Sequence, residues 1–347
     1  MTPQQQQPRD IVYTPPEVST LVVSAIDERR KNPGAGVRFG LPQVDTHLLP
    51  LRPGELVTVL GRPSNYKSGL MQFWSRKLAR DILEDGAEKE MVVYATWEMA
   101  IEELGLYDLA AATSLSASDI SQGRVDEEAW EALLAAAMKR AGLPIWIIGH
   151  SIERRKKRPR LTLSNIGQAL LWVEREMGFH PRAVFLDYLQ QMEPEERPNT
   201  RNREGTRRMD IFENVYRCKD MALALGCPVI LGVQARREVD DRPWKLPQLG
   251  DGMESSNIEH TSDKMLSLWM PKTSEMADKP LRGAPELIVN DNLLLVRICK
   301  QKMGPAGQWM ALRVDPGKNE IASFERATEA PRPPVRSWVD DDDDYAT

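Results

Sequence analysis

Short apolar runs alternate with longer amphipathic stretches from residue 54 onward. The runs are GELVTVLG (54–61), MVVYATWEM (91–99), LPIWIIGH (143–150), AVFLDYLQQM (183–192) and CPVILGVQA (227–235). Helix-like stretches between them include 67–84, 126–141, 164–177 and 206–226. Nearly continuous apolar strands separated by helices are typical of a parallel sheet with helices on both faces. The pattern therefore predicts an α/β fold built on a mostly parallel, twisted sheet.

The pattern changes after residue 262. Strands there follow one another with short turns, as in QWMALRVDPGKNEIASF (308–324), where DPGKN is a turn signal. We therefore expect antiparallel strands to be added to one edge of the sheet near the C-terminus.

A lone amphipathic helix is predicted ahead of this body. Pro15 and Pro16 favour a helix start, and Pro33 and Gly34 favour a stop. Four apolar residues share one face of this helix: Val18, Leu21, Val22 and Ile26. The residues alone leave two interpretations open, packing on the chain's own domain or docking on a neighbouring subunit.

The two ends of the chain are polar and of low complexity. Residues 1–14 are rich in glutamine, and residues 327–347 are rich in proline and then in aspartate. Such segments bury too little apolar surface to fold, so both are predicted to be disordered. The predicted organisation is thus a disordered N-terminus (1–14), a linker helix (15–34), one large domain (35–326) and a disordered tail (327–347).

Composition excludes several classes of protein. No apolar run approaches the ~20 residues that span a bilayer, and the start, MTPQQQQPRD, has no signal-peptide core. Three scattered cysteines do not make a disulfide framework or a zinc site. We therefore expect a cytoplasmic protein with no membrane partner. Because the net charge is −5, any nucleic-acid binding must come from local basic patches.

The strongest candidate for chemistry is GRPSNYKSGL (61–70). It meets the phosphate-loop pattern G-x-x-x-x-G-K-[ST] except that Tyr66 replaces the second glycine. The residues expected to surround a nucleotide are Gly61, Arg62, Pro63, Ser64, Asn65, Tyr66, Lys67 and Ser68. A glycine at position 66 would let the backbone curl against phosphates without a clashing Cβ. Tyr66 must turn its ring away from the nucleotide or strain the loop, and we interpret the stretch as an altered, working site.

Polar groups end the other predicted strands. Glu98, Asp187 and Gln234 each follow an apolar run, and the carboxyl ends of parallel strands meet at one edge of the sheet. Lys67 is expected to neutralise the β- and γ-phosphates of ATP, and Ser68 and Asp187 to hold Mg²⁺. Glu98 is the candidate for activating water, and Gln234 for contacting the γ-phosphate. Each residue taken alone could instead be a solvated side chain or a turn cap with no role in catalysis. The functional interpretation is favoured because the strand ends that carry these residues are expected to meet at one place.

Taken together, these segments resemble the DnaB-type replicative DNA helicases. GRPSNYKSGL, VVYATWEMAIEEL, AVFLDYLQQM, VILGVQARRE, SSNIEHTSD and ICKQKMGPAG occur in that family's order and approximate spacing, over roughly residues 17–325. The resemblance implies a RecA-like ATPase domain, a linker helix that docks on the next subunit, and hexameric rings that unwind DNA around a single strand using ATP and Mg²⁺. It also implies that the chain lacks the family's N-terminal primase-interaction domain.

The chain departs from the family in three places besides its length. Tyr66 stands where the family usually has glycine, and Met253 replaces an arginine in the loop that faces DNA. Lys300 and Lys302 flank Gln301 where the family has K-Q-R, whose arginine reaches into the neighbour's site. The resemblance places both lysines across the subunit boundary from Lys67, although lysine lacks the rigid fork of arginine.

DNA and partner contacts are predicted by the same resemblance. The expected DNA-binding residues are Arg201, Arg203, Arg207, Glu254, Ser255 and Asn257. A mixed-charge surface loop is the alternative for the arginines, and the basic run 153–160 is equally well explained as a plain surface patch. The acidic tail is interpreted from its charge alone: it is expected to solubilise the chain, to dock a replisome partner such as a primase, loader or polymerase, or to mimic DNA and limit non-specific binding.

The predicted function is therefore a ring-forming, ATP-dependent DNA helicase or translocase. The alternative is a RecA-like regulatory ATPase, or a catalytically weak scaffold, that binds ATP and partners without unwinding DNA. Tyr66, Lys302 and Met253 favour that alternative.

Overall fold

A computed structural model describes residues 12–32, 34–113, 115–154, 159–195, 203–253, 257–271, 277–281 and 284–324. Its centre is a nine-stranded sheet in the order β11-β10-β9-β6-β1-β5-β4-β2-β3. The strands are β1 (Leu56–Gly61), β2 (Glu90–Thr96), β3 (Ile145–Ile148), β4 (His180–Asp187), β5 (Val229–Gln234), β6 (Lys264–Trp269), β7 (Pro280–Leu281), β8 (Ala284–Ile288), β9 (Leu293–Gln301), β10 (Trp309–Asp315) and β11 (Glu320–Ser323). Strands β7 and β8 form a separate two-stranded sheet.

The helices cover both faces of the large sheet. They are α1 (Pro15–Lys31), α2 (Pro42–Asp45), α3 (Lys67–Glu84), α4 (Ile101–Ala112), α5 (Ala117–Ser121), α6 (Glu127–Ala141), α7 (Leu163–Met177), α8 (Arg203–Leu225) and α9 (Asn257–Thr261). Single 3₁₀ turns lie at Leu189–Gln191, Arg237–Asp241 and Leu249–Asp251. No described helix is both long and apolar enough to cross a bilayer.

The sheet is parallel through β1–β6 and antiparallel at one edge. Strand β1 pairs in parallel with β5 and β6, and β4, β2 and β3 continue in parallel on the other side. Strands β9, β10 and β11 are added antiparallel beside β6. The predicted fold class, a mostly parallel sheet with antiparallel C-terminal strands, is confirmed.

Alternate side chains of the strands enter two cores. On one face, Val57 and Val59 pack with Trp74 and Leu78 of α3. On the other, Leu56 and Leu60 pack in a core that α7 and α8 complete. Because neighbouring residues of a strand point to opposite faces, a strand covered on both sides needs an apolar residue at nearly every position. This is why the five apolar runs were continuous.

Within the part of the chain that the structure describes, helix α1 has no buried residue. Its N-terminus is capped by Thr14 and Glu17, with the Thr14 N–H donating to Glu17 Oε2 at 2.7 Å. Leu21 and Ile26 on its apolar face are 57% and 55% exposed. In this chain the helix therefore does not pack on its own domain.

Candidate functional site

The phosphate loop joins the carboxyl end of β1 to the start of α3. Strand β1 ends at Gly61 and the helix begins at Lys67. Ser64 and Tyr66 have left-handed backbone conformations, with φ of 60° and 64°. Left-handed residues leading into a helix N-terminus turn backbone N–H groups toward a common point, which suits an anion. The loop thus keeps a phosphate-binding shape although position 66 is not glycine.

Two side chains fasten this loop to the strands beside it. The guanidinium of Arg62 donates to Asp240 Oδ2 and to the Ala235 carbonyl, both at 2.9 Å, just after β5. Asn65 Oδ1 accepts from the Met270 N–H at 2.8 Å, just after β6. Arg62 and Asn65 were expected only to surround a nucleotide. Their structural contacts had no local sequence signal, because Ala235 and Met270 lie 173 and 205 positions away.

Tyr66 both adopts the left-handed conformation and turns its ring aside. A non-glycine residue pays roughly 1–2 kcal/mol for this backbone. The ring is partly buried against α3, and its hydroxyl donates to Asn319 Oδ1 at 3.2 Å in the β10–β11 turn. Burial raises the pKa of Tyr66, so the phenol remains a hydrogen-bond donor.

Lys67 is a buried cation at the centre of the site. Its Nζ donates to the Arg62 carbonyl at 3.3 Å and lies 5.6 Å from the ring centroid of Tyr188. Burial lowers the pKa of Lys67, while the charges of Asp187 and Glu98 act in the opposite direction. A desolvated ammonium inside a loop of N–H groups is suited to an anionic ligand.

Asp187, the last residue of β4, is fully buried. Its Oδ2 accepts from the Tyr94 hydroxyl at 2.9 Å, whereas Oδ1 has no hydrogen-bond partner among the described residues. Burial raises the pKa of this carboxyl, and the Ser68 hydroxyl, the Tyr94 hydroxyl and the Lys67 charge oppose the rise. A buried carboxylate oxygen without a partner is costly, and together with a serine hydroxyl it offers the oxygen ligands that Mg²⁺ prefers. These two residues fit the predicted metal site.

Glu98 reaches the same site from the segment after β2. The strand ends at Thr96, two residues earlier than the sequence suggested, and Glu98 lies in the bend before α4. Loss of solvent raises the pKa of its carboxyl, the Asp187 charge adds to the rise, and Lys67 opposes it. Thr96 is in register with Asp187, and the Trp97 N–H donates to the Asp187 carbonyl at 3.1 Å, so the backbone of Glu98 follows directly on a residue bonded to Asp187.

Gln234 ends β5 in register with Gly61 on β1. Its N–H donates to Gln190 Oε1, and its carbonyl accepts from the Met253 N–H, both at 3.0 Å. Gln234 therefore links the site to the segments that follow β4 and β5. The structure thus places Glu98, Asp187 and Gln234 at the carboxyl ends of their strands, at the same end of the sheet as Lys67 and Ser68 at the start of α3.

Lys300 and Lys302 lie near the amino ends of the parallel strands, whereas the phosphate loop lies at their carboxyl ends. Gln301 on β9 pairs with Lys264 at the start of β6, whereas Gly61 is in register with Leu268, four residues further along. Lys300 donates to the Glu259 carbonyl at 2.6 Å. Lys302 is 64% exposed and forms an ion pair with Asp263 at 3.6 Å. Neither lysine is near the phosphate loop of its own chain.

Comparison with known proteins decides the family. The profile of the DnaB-like helicase C terminal domain matches residues 36–318. The chain belongs to this family. A solved structure of the ATPase domain of G40P has the same fold, with a TM-score of 0.71 and 22% identity over 89% of this chain and 99% of that one.

Curated relatives are replicative helicases about one and a half times as long as the DnaB-like chain. The replicative DNA helicase DnaB of Leifsonia xyli is 27% identical over 277 residues, 79% of this chain and 55% of that protein. The replicative DNA helicase DnaC of Bacillus subtilis is 26% identical over 299 residues, 86% of this chain and 58% of that protein. The chain thus spans about half the length of the curated relatives it matches.

Most of the predicted DNA-binding residues of this DnaB-like chain lie outside the described residues. These are Arg201, Glu254 and Ser255, together with the side chains of Arg203 and Arg207, whose backbone begins α8. Asn257 is described and begins α9, shortly after the Met253 that is bonded to Gln234. The acidic tail also lies outside the described residues.

Three residues of the site were not found from the sequence: Tyr94, Gln72 and Asn319. Tyr94 holds the Asp187 carboxylate, and Asn319 holds Tyr66. Tyr94 sits inside an apolar strand and Asn319 inside a turn signal, so neither stood out. A buried tyrosine in a strand does need a hydrogen-bond partner, which was the one available hint.

Proposed function

We propose that this DnaB-like chain is an ATP-hydrolysing motor that moves on single-stranded DNA and unwinds duplex DNA in replication. The observation that carries the proposal is that Lys67, Ser68, Glu98, Asp187 and Gln234 lie at the same end of the parallel strands, where Asp187 Oδ1 is buried without a hydrogen-bond partner among the described residues. The resemblance to replicative helicases supports the choice of DNA as the track.

Each group has a separate task in hydrolysis. The loop N–H groups and Lys67 bind and neutralise the phosphates of ATP. Ser68 and Asp187 would hold Mg²⁺, which when bound neutralises charge on the β- and γ-phosphates. Glu98, whose pKa is raised, accepts a proton from the attacking water. Gln234 contacts the γ-phosphate.

Gln234 also offers a route from the nucleotide to DNA. Its backbone is bonded on one side to Gln190, at the start of the segment that leads to Arg201, and on the other to Met253, beside Glu254 and Ser255. Loss of the γ-phosphate would shift Gln234 and therefore both segments. The basic and polar residues of these segments would bind the DNA phosphates.

The subunits assemble into a ring, which we take to be a hexamer. The apolar face of α1 is uncovered in the single chain, and a second apolar stripe is exposed on α6: Trp130, Leu134 and Met138 are 49%, 48% and 78% exposed. Burying such surfaces against another copy would remove both from water. In a head-to-tail ring, Lys300 and Lys302 would face the neighbour's phosphate loop.

A replisome partner is a further part of the proposal. One solved structure of the same fold is of a DnaB-like replicative helicase and concerns its interactions with primase. It matches with a TM-score of 0.71 and 22% identity, over 89% of this chain and 66% of that one. The aspartates of the tail would suit a basic surface on a primase, loader or polymerase.

The second candidate is a regulatory ATPase switch, favoured by Tyr66 in the loop and by lysine at position 302. ATP hydrolysis measured with and without single-stranded DNA separates the two. A motor should be strongly stimulated by DNA, a switch should hydrolyse ATP at the same rate without it, and a scaffold should not hydrolyse ATP. The Lys67→Ala variant sets the background rate.

A further inference from the structure

Tyr66 and Asn319 connect the phosphate loop to the turn between β10 and β11, the last two strands of the sheet. The aromatic ring of Tyr66 lies against the first turn of α3, where a Cβ on Gly69 would come within 2.7 Å of it. Glycine at position 69 is therefore the residue that makes room for the tyrosine. The hydroxyl then reaches Asn319 Oδ1 at 3.2 Å, and the Asp315 carbonyl lies at 3.5 Å.

Asn319 is held in a single orientation by several hydrogen bonds. It is 2% exposed and has a left-handed backbone, with φ of 52°. Its Oδ1 accepts from Tyr66, its Nδ2 donates to Gln72, and its carbonyl accepts from Arg76. An asparagine whose amide oxygen, amide nitrogen and backbone carbonyl all have partners inside the protein has one preferred orientation. The acceptor offered to Tyr66 is thus held in place before any ligand binds.

The anchor of Asn319 extends through two more helices. Arg76, on α3, is buried and pairs with Asp108 of α4 at 3.1 Å. Asp108 also accepts from Arg140 of α6 at 2.8 Å. The turn that receives the Tyr66 hydroxyl is therefore braced by three helices rather than free at the sheet edge.

Gln72 carries the same network toward Glu98. Its Oε1 accepts from Asn319 Nδ2, and its Nε2 donates to the sulfur of Met99 at 3.7 Å. The tyrosine of the loop and the segment that contains Glu98 are thus joined through Asn319 and Gln72.

We propose that Tyr66 is a positioning residue, whose hydroxyl, held by Asn319, keeps the phosphate loop in its left-handed conformation ready for phosphate. A glycine adopts this conformation freely but does not favour it, whereas a tyrosine adopts it only when a contact compensates. The hydrogen bond from the Tyr66 hydroxyl to Asn319 Oδ1, called the clasp below, supplies that contact. Its effect on ATP rests on the function proposed above, while its effect on the loop does not.

The clasp makes a specific kinetic prediction. Tyr66→Phe keeps the ring and removes only the hydrogen bond, so the loop would spend less time in the competent conformation. The Kd and KM for ATP should rise about two- to tenfold, the effect of losing one hydrogen bond, with kcat unchanged because the bound loop is the same. Asn319→Gly keeps the left-handed backbone of the turn but also removes the bond to Gln72, so it should raise the Kd and KM by at least as much.

A double variant and a matched control make the test strict. Tyr66→Phe combined with Asn319→Gly should bind ATP no more weakly than Asn319→Gly alone, because both changes remove the same hydrogen bond between Tyr66 and Asn319. Lys318→Ala changes the neighbouring residue of the same turn, which pairs only weakly with Asp315 at 3.9 Å, and should leave Kd unchanged. Additive losses, or a Tyr66→Phe variant with the parental Kd and KM, would overturn the clasp.

Hydrogen exchange without nucleotide separates this inference from the proposed function. The amides of residues 62–68 should exchange faster in Tyr66→Phe than in the parent, while the amides of β1 and β5 stay equally protected. Unchanged exchange in 62–68 would refute the clasp even if ATP is hydrolysed. A parent protein that binds no ATP, with faster exchange in the variant, would instead refute the proposed function and leave the clasp standing.

Discussion

Replacing Lys302 by alanine should stop ATP hydrolysis at the neighbouring subunit's site and not at the subunit's own. Lys302 directly follows Gln301, which pairs with Lys264 on β6. Gly61, where the phosphate loop begins, is in register with Leu268, four residues or about 13 Å further along the same strand. A lysine at that distance does not reach the phosphates bound by its own loop. Any contribution to charge on the γ-phosphate must therefore be made across a subunit boundary.

The cost of releasing Lys302 for this task is small. Its ion pair with Asp263 is 3.6 Å long and the lysine is 64% exposed, so the pair contributes about 0–1 kcal/mol. Lys300, by contrast, donates to the Glu259 carbonyl at 2.6 Å, and burial lowers its pKa. Lys302 is accordingly the better candidate. Because an arginine supplied by a neighbour contributes ~10³–10⁵ in kcat and lysine does less, Lys302→Ala should lower kcat by at least about tenfold.

Subunit mixing provides the assay. Lys67→Ala and Lys302→Ala should each be inactive, but in a head-to-tail ring built from equal amounts of both, about a quarter of the interfaces pair an intact Lys67 with an intact Lys302. ATPase activity should therefore return on mixing. Mixing Lys67→Ala with a double variant that lacks both lysines is the matched control, since it contains no intact Lys67 and should remain inactive.

Two results would refute the shared site. One is a Lys302→Ala protein with the parental kcat. The other is a mixture that stays inactive although fluorescently labelled subunits are shown to exchange between rings.

The fold and the members of the site could be predicted from the sequence because both follow from local pattern. Strands buried on two faces must be apolar at nearly every position, so their runs were visible. The side chains that follow such strands meet at one edge of a parallel sheet, which is why Glu98, Asp187 and Gln234 could be grouped with the loop.

Contacts between distant segments could not be predicted in the same way. The Tyr66 hydroxyl and its acceptor are 253 positions apart. Helix α4 was also not identified: its apolar residues fall on several sides, as in LGLYDLAAA, so they give no single periodic stripe. Sequence pattern reports which face of an element is buried, and it does not report which partner covers that face.

The remaining predictions concern the base, its titration and the ring. Glu98→Gln should abolish turnover and leave the Kd for ATP within about twofold of the parent, because the carboxyl acts on water; normal turnover would remove Glu98 from that role. Since loss of solvent and the charge of Asp187 raise the pKa of Glu98, its active deprotonated form is lost at a higher pH than for an ordinary glutamate. As the pH is lowered, kcat should therefore begin to fall at a pH above the pKa range of ordinary glutamates. A fall that begins only within that range would contradict the assignment of Glu98. Leu21→Asp on the apolar face of α1 should dissociate the ring, because an exposed leucine that becomes buried at an interface contributes about 1.5–3 kcal/mol. Thr20→Asp, on the side of the same helix opposite this apolar face, is the matched control and should leave the ring intact. Because α1 buries nothing against its own domain, neither change should alter the melting temperature of the dissociated subunit. Light scattering decides: a Leu21→Asp protein of unchanged mass would show that α1 does not hold the subunits together.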